Sequence, residues 1–187
     1  MRYIVGLLLG IGLIVLTIIL IFKAFSGGSS TAPKAPRIDL NSYANTQAVM
    51  RYTIDGAVVS NQQHERVRIT VSSDRVLFEE IQGYQGQLKQ SKTYPNNPDA
   101  YATFLHALTL VSYAQGNPST VKDERGYCPA GRRFIYEGLS GGDNIFRWWS
   151  DSCTSKEGNF LGNANTTQLL FIRQVPDYSL LTSRITF

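Results

Sequence analysis

RVRITVSSDRVLFEEI, Arg66 to Ile81, is the stretch in which the chain declares its architecture. Val67, Ile69 and Val71 alternate with Arg66, Arg68 and Thr70, Ser72-Ser73-Asp74 breaks the run, and Val76 and Phe78 resume it with Glu80 next in phase. A period of two puts one set of side chains on each face of a strand. Two such runs joined by a turn cluster read as an antiparallel pair with one face buried. Glu79 and Glu80, being strand neighbours, point to opposite faces and do not make the carboxylate pair a glycosidase requires.

The pattern extends both ways. Upstream, Met50, Tyr52 and Ile54 alternate with Val49, Arg51 and Thr53, and Asp55-Gly56 supplies a turn. Downstream, QGQLKQSKTY, Gln85 to Tyr94, is polar enough for an edge strand, where Lys89 and Lys92 discourage stray pairing. The period then changes. Asn97-Pro98-Asp99 combines a cap residue, a proline at the first helical position and an acid in the first turn, while Gly116 and Pro118 close the segment. Between them Tyr101, Phe104, Leu105, Leu108 and Val111 form one apolar stripe, predicting a helix from Pro98 to Gln115. A shorter helix is expected from Asn165, spaced with Gln168 as a capping box, and ends before Pro176. The tail SLLTSRITF, from Ser179, reads as a last strand. The expected fold is α+β: a small, mainly antiparallel sheet with one principal packed helix and a short C-terminal helix.

CPAGRRFIYEGLSGGDNIFRWWSDSC, Cys128 to Cys153, holds both cysteines and both tryptophans of the chain. It reads as strands Arg132–Glu137 and Ile145–Ser150 around the turn GLSGGDN. Pairing Leu139 with Gly142 across Ser140-Gly141 sets Cys128 opposite Cys153, and a four-residue loop closed by Gly138 and Asp143 gives the same register. Facing residues lie within the reach of a disulfide. Closing a loop of about 25 residues contributes on the order of 3 kcal/mol. In that register Arg132 faces Trp149 and Arg133 faces Trp148 as cation–aromatic pairs, one pair in the core and the other open to a partner. With Arg147 they form the candidate interaction surface, since arginine and tryptophan are the usual interface anchors.

The N-terminus sets location. After residues 1–3, Ile4 to Phe22 is an uncharged apolar run. As a helix it is about 28 Å long, against about 30 Å of hydrocarbon core. Ala24-Phe25-Ser26 loosely fits a signal cleavage site, but the run exceeds the usual signal h-region of about 7–15 residues, which favours an uncleaved transmembrane signal anchor. Residues 23–36, including SGGSSTAPKAP, read as a flexible linker, and 37–187 as one domain. The flanking charges do not orient the anchor. A disulfide in a domain without metal-ligand spacing implies an oxidising compartment, which puts the N-terminus in the cytoplasm and the domain outside the cell membrane. Gly6 and Gly10 are a candidate helix-association motif for a homo-oligomer.

Other chemistry is excluded or weak. Setting aside Arg2 and Lys23 takes the 18 basic residues to 16 against 14 acidic ones, a net of +2 with no single-sign run, so nucleic acid is not an expected partner. Serine-elbow, zinc-helix, P-loop and dinucleotide motifs are absent, and no catalytic residue, cofactor or metal is assigned. His64, in the polar loop NQQHE, and His106, off the helical stripe, read as surface or structural residues, and Asp123-Glu124 as solvated charge. Asn165-Thr166-Thr167 is a formal glycosylation acceptor. The expected function is a membrane-anchored extracytoplasmic domain that binds a protein or a cell-envelope component. The alternatives are an envelope-polymer hydrolase with a site assembled from distant residues, or a structural subunit of a membrane assembly.

Overall fold

The computed structural model describes residues 38–118, 123–154 and 157–185. The apolar run Ile4–Phe22, its Gly6 and Gly10, and the linker lie outside them. No helix among the described residues is long and apolar enough to cross a membrane.

Alternation builds a six-stranded antiparallel sheet: β1 Val49–Asp55, β2 Glu65–Val71, β3 Arg75–Gln82, β4 Gln87–Pro95, β5 Arg133–Ser140 and β6 Asp143–Asp151, in spatial order β4-β3-β2-β1-β5-β6. Among the described residues three helices accompany it, α1 Pro98–Leu110, α2 Ala164–Ile172 and α3 Tyr178–Leu181, and a short 3-10 helix, Leu40–Tyr43, precedes β1. The architecture is α+β. β4 is an exposed edge, as its polarity predicts, and α1 carries the chain back so that β5 joins the sheet beside β1.

Cross-strand register turns the alternation into two unlike faces. One row of partners reads Trp148, Tyr136, Tyr52, Ile69, Phe78 and Lys92 from β6 to β4. This face is covered: Phe171 of α2 lies 5.5 Å from the Tyr52 ring and 5.1 Å from Phe104 of α1. Tyr101, Phe104, Leu105 and Leu108 are buried as the stripe predicts. At about 1.5–3 kcal/mol for each large apolar side chain removed from water, this layer is the main source of stability.

Helix α1 ends at Leu110 instead of Gln115. Ser112 adopts a left-handed φ of 60°, Tyr113 N donates to Leu108 O, and Ser112 N donates to Thr109 O, a double closure that stops a helix. The cause is Tyr113. Its hydroxyl donates to Arg51 O at 2.6 Å and accepts from Glu137 N at 3.1 Å, bridging β1 and β5 from beneath the sheet. Burial pushes this phenol far above its ordinary pKa. Helix α2 is capped by Asn163, whose side chain accepts from Thr166 N at 3.0 Å, and not by Asn165, an exposed residue of its first turn.

As far as Ile185 the tail forms α3 and a turn through Arg184, not a strand, and its last two residues lie outside the described residues. Tyr178, Leu181 and Ile185 recur at helical spacing and pack on the core. Asp177 accepts from Lys92 and from Tyr94 of the edge strand. Those bonds hold the Asp177 carboxyl below its usual range, Lys92 first and Tyr94 second, while burial, and then the bond to Asp177, raise Tyr94 to about 12.

Candidate binding site

The Cys128–Cys153 disulfide is formed, with α-carbons 5.7 Å apart, but the register expected to produce it is not. Ser140 pairs with Asp143 across Gly141-Gly142, and Ile135 pairs with Trp149, Tyr136 with Trp148. Both turn glycines have positive φ, 62° and 94°. Positive φ at both central positions is what a type I′ two-residue turn needs, and Ser140-Gly141 offers glycine at only the second of them. An irregularity between Gly138 and Leu139 shifts the register again, leaving Ile145 without a direct partner. The cysteines meet beyond the ladder. Gly131 N donates to Cys128 O in a turn that folds the chain back, and Arg132 N and O both bond to Ser152.

The change of register dismantles the proposed arginine–tryptophan pairs. Trp149 is fully buried beneath Tyr127, 5.3 Å between centroids, and Arg133 is 3% exposed. Trp148 is half-buried on the covered face. It donates Nε1 to Ala114 O at 3.1 Å and lies so close to Gly116 that a β-carbon there would meet the indole at 2.1 Å. Arg147 is half-buried between Glu124 (2.7 Å) and Glu137 (3.4 Å). Only Arg132 of the five stands exposed, with Arg147 and Trp148 half-buried, on a hairpin whose ends the disulfide braces.

His64 takes the structural one of the two roles expected of it. It is buried, stacked on Tyr84 at 4.2 Å, with Nε2 3.0 Å from Asp55 and Nδ1 3.1 Å from Ala57 O. Asp55 receives Arg133 as well, at 2.7 Å. His106 is exposed on α1. Glu124 is not fully solvated: it seats Arg147, and its second oxygen is buried without a partner among the described residues. Asp123 is exposed to Arg125, which, through its side chain first, pulls its pKa to about 2.

The second face of the sheet is where polar chemistry accumulates. Its rows read Arg147, Glu137, Arg51, Thr70, Leu77 and, alongside, Trp149, Ile135, Thr53, Arg68, Glu79. The 123–131 loop covers the β5–β6 end through Glu124 and Tyr127. Over β1, β2 and β3 the face is a trough of about 620 Å³, lined by Gln47, Arg51, Arg68, Thr70, Arg75 and Glu79 among others.

The three guanidiniums of the trough lack direct carboxylate hydrogen bonds among the described residues. Arg51 stands 3.8 Å from Glu137, Arg68 3.7 Å from Glu79 and Arg75 3.7 Å from Asp74. Arg51 Nε makes one long bond, 3.4 Å, to Thr70 Oγ1, and Arg68 Nε is buried with no partner among the described residues. Charge-assisted bonds normally close to about 2.7–2.9 Å. Donors this poorly engaged at a concave surface are available to an oxygen-rich ligand. Arg66, Arg68 and Thr70 are visible in the sequence as one polar phase, but their alignment with Arg51 and Arg75 depends on pairing register.

A second cavity, about 560 Å³, lies beside the disulfide, where Arg132, Phe134, Asp151, Glu157, Phe160 and Asn163 contribute to its wall. Asp151 Oδ2 is buried there without a partner among the described residues. Cys128, Asp151 and Cys153 are the one cluster of metal-ligating side chains among the described residues, and the disulfide withholds both thiolates. No protein-family model matches the chain, and no curated protein is similar to it in sequence.

Proposed function

We propose that the chain is a single-pass membrane protein presenting its α+β domain outside the cytoplasmic membrane as a binding module, with the trough over β1–β3 as the ligand face. The observation that carries this reading is the set of three trough guanidiniums whose carboxylate partners among the described residues stand 3.7–3.8 Å away, beyond direct hydrogen-bond distance, on a sheet face left uncovered by α1 and α2. The apolar run Ile4–Phe22 supplies the anchor, and the disulfide is compatible with an oxidising compartment. The partner is a protein or a cell-envelope component.

A photo-cross-linker placed at Thr70, in the full chain in intact membranes, tests the assignment. Reproducible adducts from Thr70, and none from the exposed Arg173 beyond α2, are expected. Equal capture from both positions, or none from Thr70, removes the trough as ligand face. Protease added to sealed right-side-out vesicles should digest the domain, and protection until lysis would invert the topology.

A hydrolase is the second reading, favoured by one observation: Asp151 and Glu157 line the cavity beside the disulfide, and Asp151 retains an unpartnered oxygen. Turnover of envelope polymer that disappears in Asp151→Asn while the melting temperature holds would establish it.

A further inference from the structure

The trough also carries information about its ligand. Arg51, Arg68 and Arg75 are on three successive strands. Arg51 pairs with Thr70, two residues from Arg68, and Arg68 pairs with Glu79, four residues from Arg75. With strand spacing of about 4.8 Å and a rise of about 3.4 Å per residue, the α-carbons of Arg51 and Arg68 are about 8 Å apart, and Arg75 is about 12–14 Å from either. A single anionic group does not span that triangle at its base. Anionic groups repeated along an extended chain do.

Neutral polar groups fill the intervals. Thr70 lies between Arg51 and Leu77 in its row, and Gln47 and Ser73 add an amide and a hydroxyl to the wall. Such groups exchange hydrogen bonds with hydroxyls. The lining charges are Arg51, Arg68 and Arg75 against Asp74 and Glu79, a surplus of one cation. Asp74 is already engaged by Ser72 at 2.6 Å, a bond that heads the causes lowering its pKa. Among the described residues no aromatic side chain lines the trough, so it offers none of the stacking platform on which single-stranded nucleic acids depend.

We infer that the trough binds a hydroxyl-rich polyanion, an acidic polysaccharide whose carboxylates engage Arg51, Arg68 and Arg75 while its hydroxyls meet Thr70, Gln47 and Ser73. This inference rests on the trough being the ligand face. Glu79 is then an internal competitor, holding Arg68 loosely in the absence of ligand.

The test is a titration of the full chain, in detergent micelles, with di-, tri- and hexagalacturonate. Maltohexaose, long-chain polyphosphate and vesicles containing anionic lipid are the comparison probes. Affinity should rise from the dimer to the hexamer and fall with added salt. Arg51→Gln and Arg68→Gln should each weaken hexagalacturonate about tenfold, the scale of one lost charge-assisted bond. Glu79→Gln should tighten it by about twofold to fivefold, by releasing Arg68 from a half-exposed ion pair. That gain cannot arise from a damaged fold. Equal binding of maltohexaose, binding of polyphosphate or vesicles without hexagalacturonate, no binding at all, or unchanged affinity in all three variants overturns the ligand assignment. Cross-linking from Thr70 that persists when hexagalacturonate fails overturns the ligand class alone, and loss of both overturns the binding reading with it.

Discussion

On the covered face of the sheet Tyr52 is 1% exposed and meets Phe134, Tyr136 and Phe171. One residue earlier, on the open face, Arg51 stands 3.8 Å from its nearest acidic partner. Aromatic burial on the first face is worth several kcal/mol per large residue, whereas half-exposed ion pairs on the second contribute about 0–1 kcal/mol each. Over β1, β2 and β3 the two sides of the sheet therefore differ: one is packed against the helices, and the other holds its guanidiniums only at long range, while at the β5–β6 end the second side is covered as well. A fold supported from one side can afford imperfect contacts on the other.

The separation breaks most visibly if a covered-face ring is removed. Phe171 touches rings from β1, α1 and the segment after α1, so Phe171→Ala should cost about 3–5 kcal/mol in denaturant unfolding. A loss below about 1 kcal/mol would mean that α2 is not structurally required. The brace comes next. Cys128→Ser and Cys153→Ser should each lower stability by about 3 kcal/mol, with the double variant no worse than either. Free thiols in the oxidised protein, or additive losses, would contradict the disulfide. Tyr113→Phe sharpens the comparison further, because it removes only the hydroxyl that bridges Arg51 and Glu137. A loss of about 1–3 kcal/mol is expected, and an unchanged melting curve would show that the two strands close directly on each other.

The smallest effect is acid release of the C-terminal segment. Bonds from Lys92 and then Tyr94 depress the Asp177 pKa. A depressed carboxyl stabilises the fold above its unfolded value, about 3.9, and loses that contribution as the pH falls toward its folded value. Protection factors in α3, taken relative to the intrinsic exchange rate at each pH, should therefore fall below about pH 4 while those of the central strands hold. Asp177→Asn should remove this pH dependence. Protection in α3 that is as pH-sensitive in the variant as in the parent chain would assign the effect elsewhere.

Much of the covered face was legible because alternation is a property of single strands. Val67, Ile69, Val71 and Phe78 announced their side, and Asn97-Pro98-Asp99 announced the start of α1. Where the reading failed, a tertiary partner decided. The end of α1 depends on Tyr113 reaching the sheet, which helical periodicity does not report. The hairpin register turned on the glycine pair Gly141-Gly142, a signal present in the sequence and assigned one residue too early. The disulfide was expected from a register that does not exist; Cys128 and Cys153 pair because the chain turns back after Cys128. The trough was illegible because Arg51, Arg68 and Arg75 become neighbours only through the pairing of three strands.

The most direct test joins the two faces in one protein, the full chain carrying Arg51→Gln and Arg68→Gln together with the photo-cross-linker at Thr70. If the open face serves binding and the covered face stability, the melting temperature stays at that of the parent chain and the Thr70 adducts seen in intact membranes disappear. Adducts of undiminished yield would contradict the account, as would a melting temperature that collapses to that of Phe171→Ala.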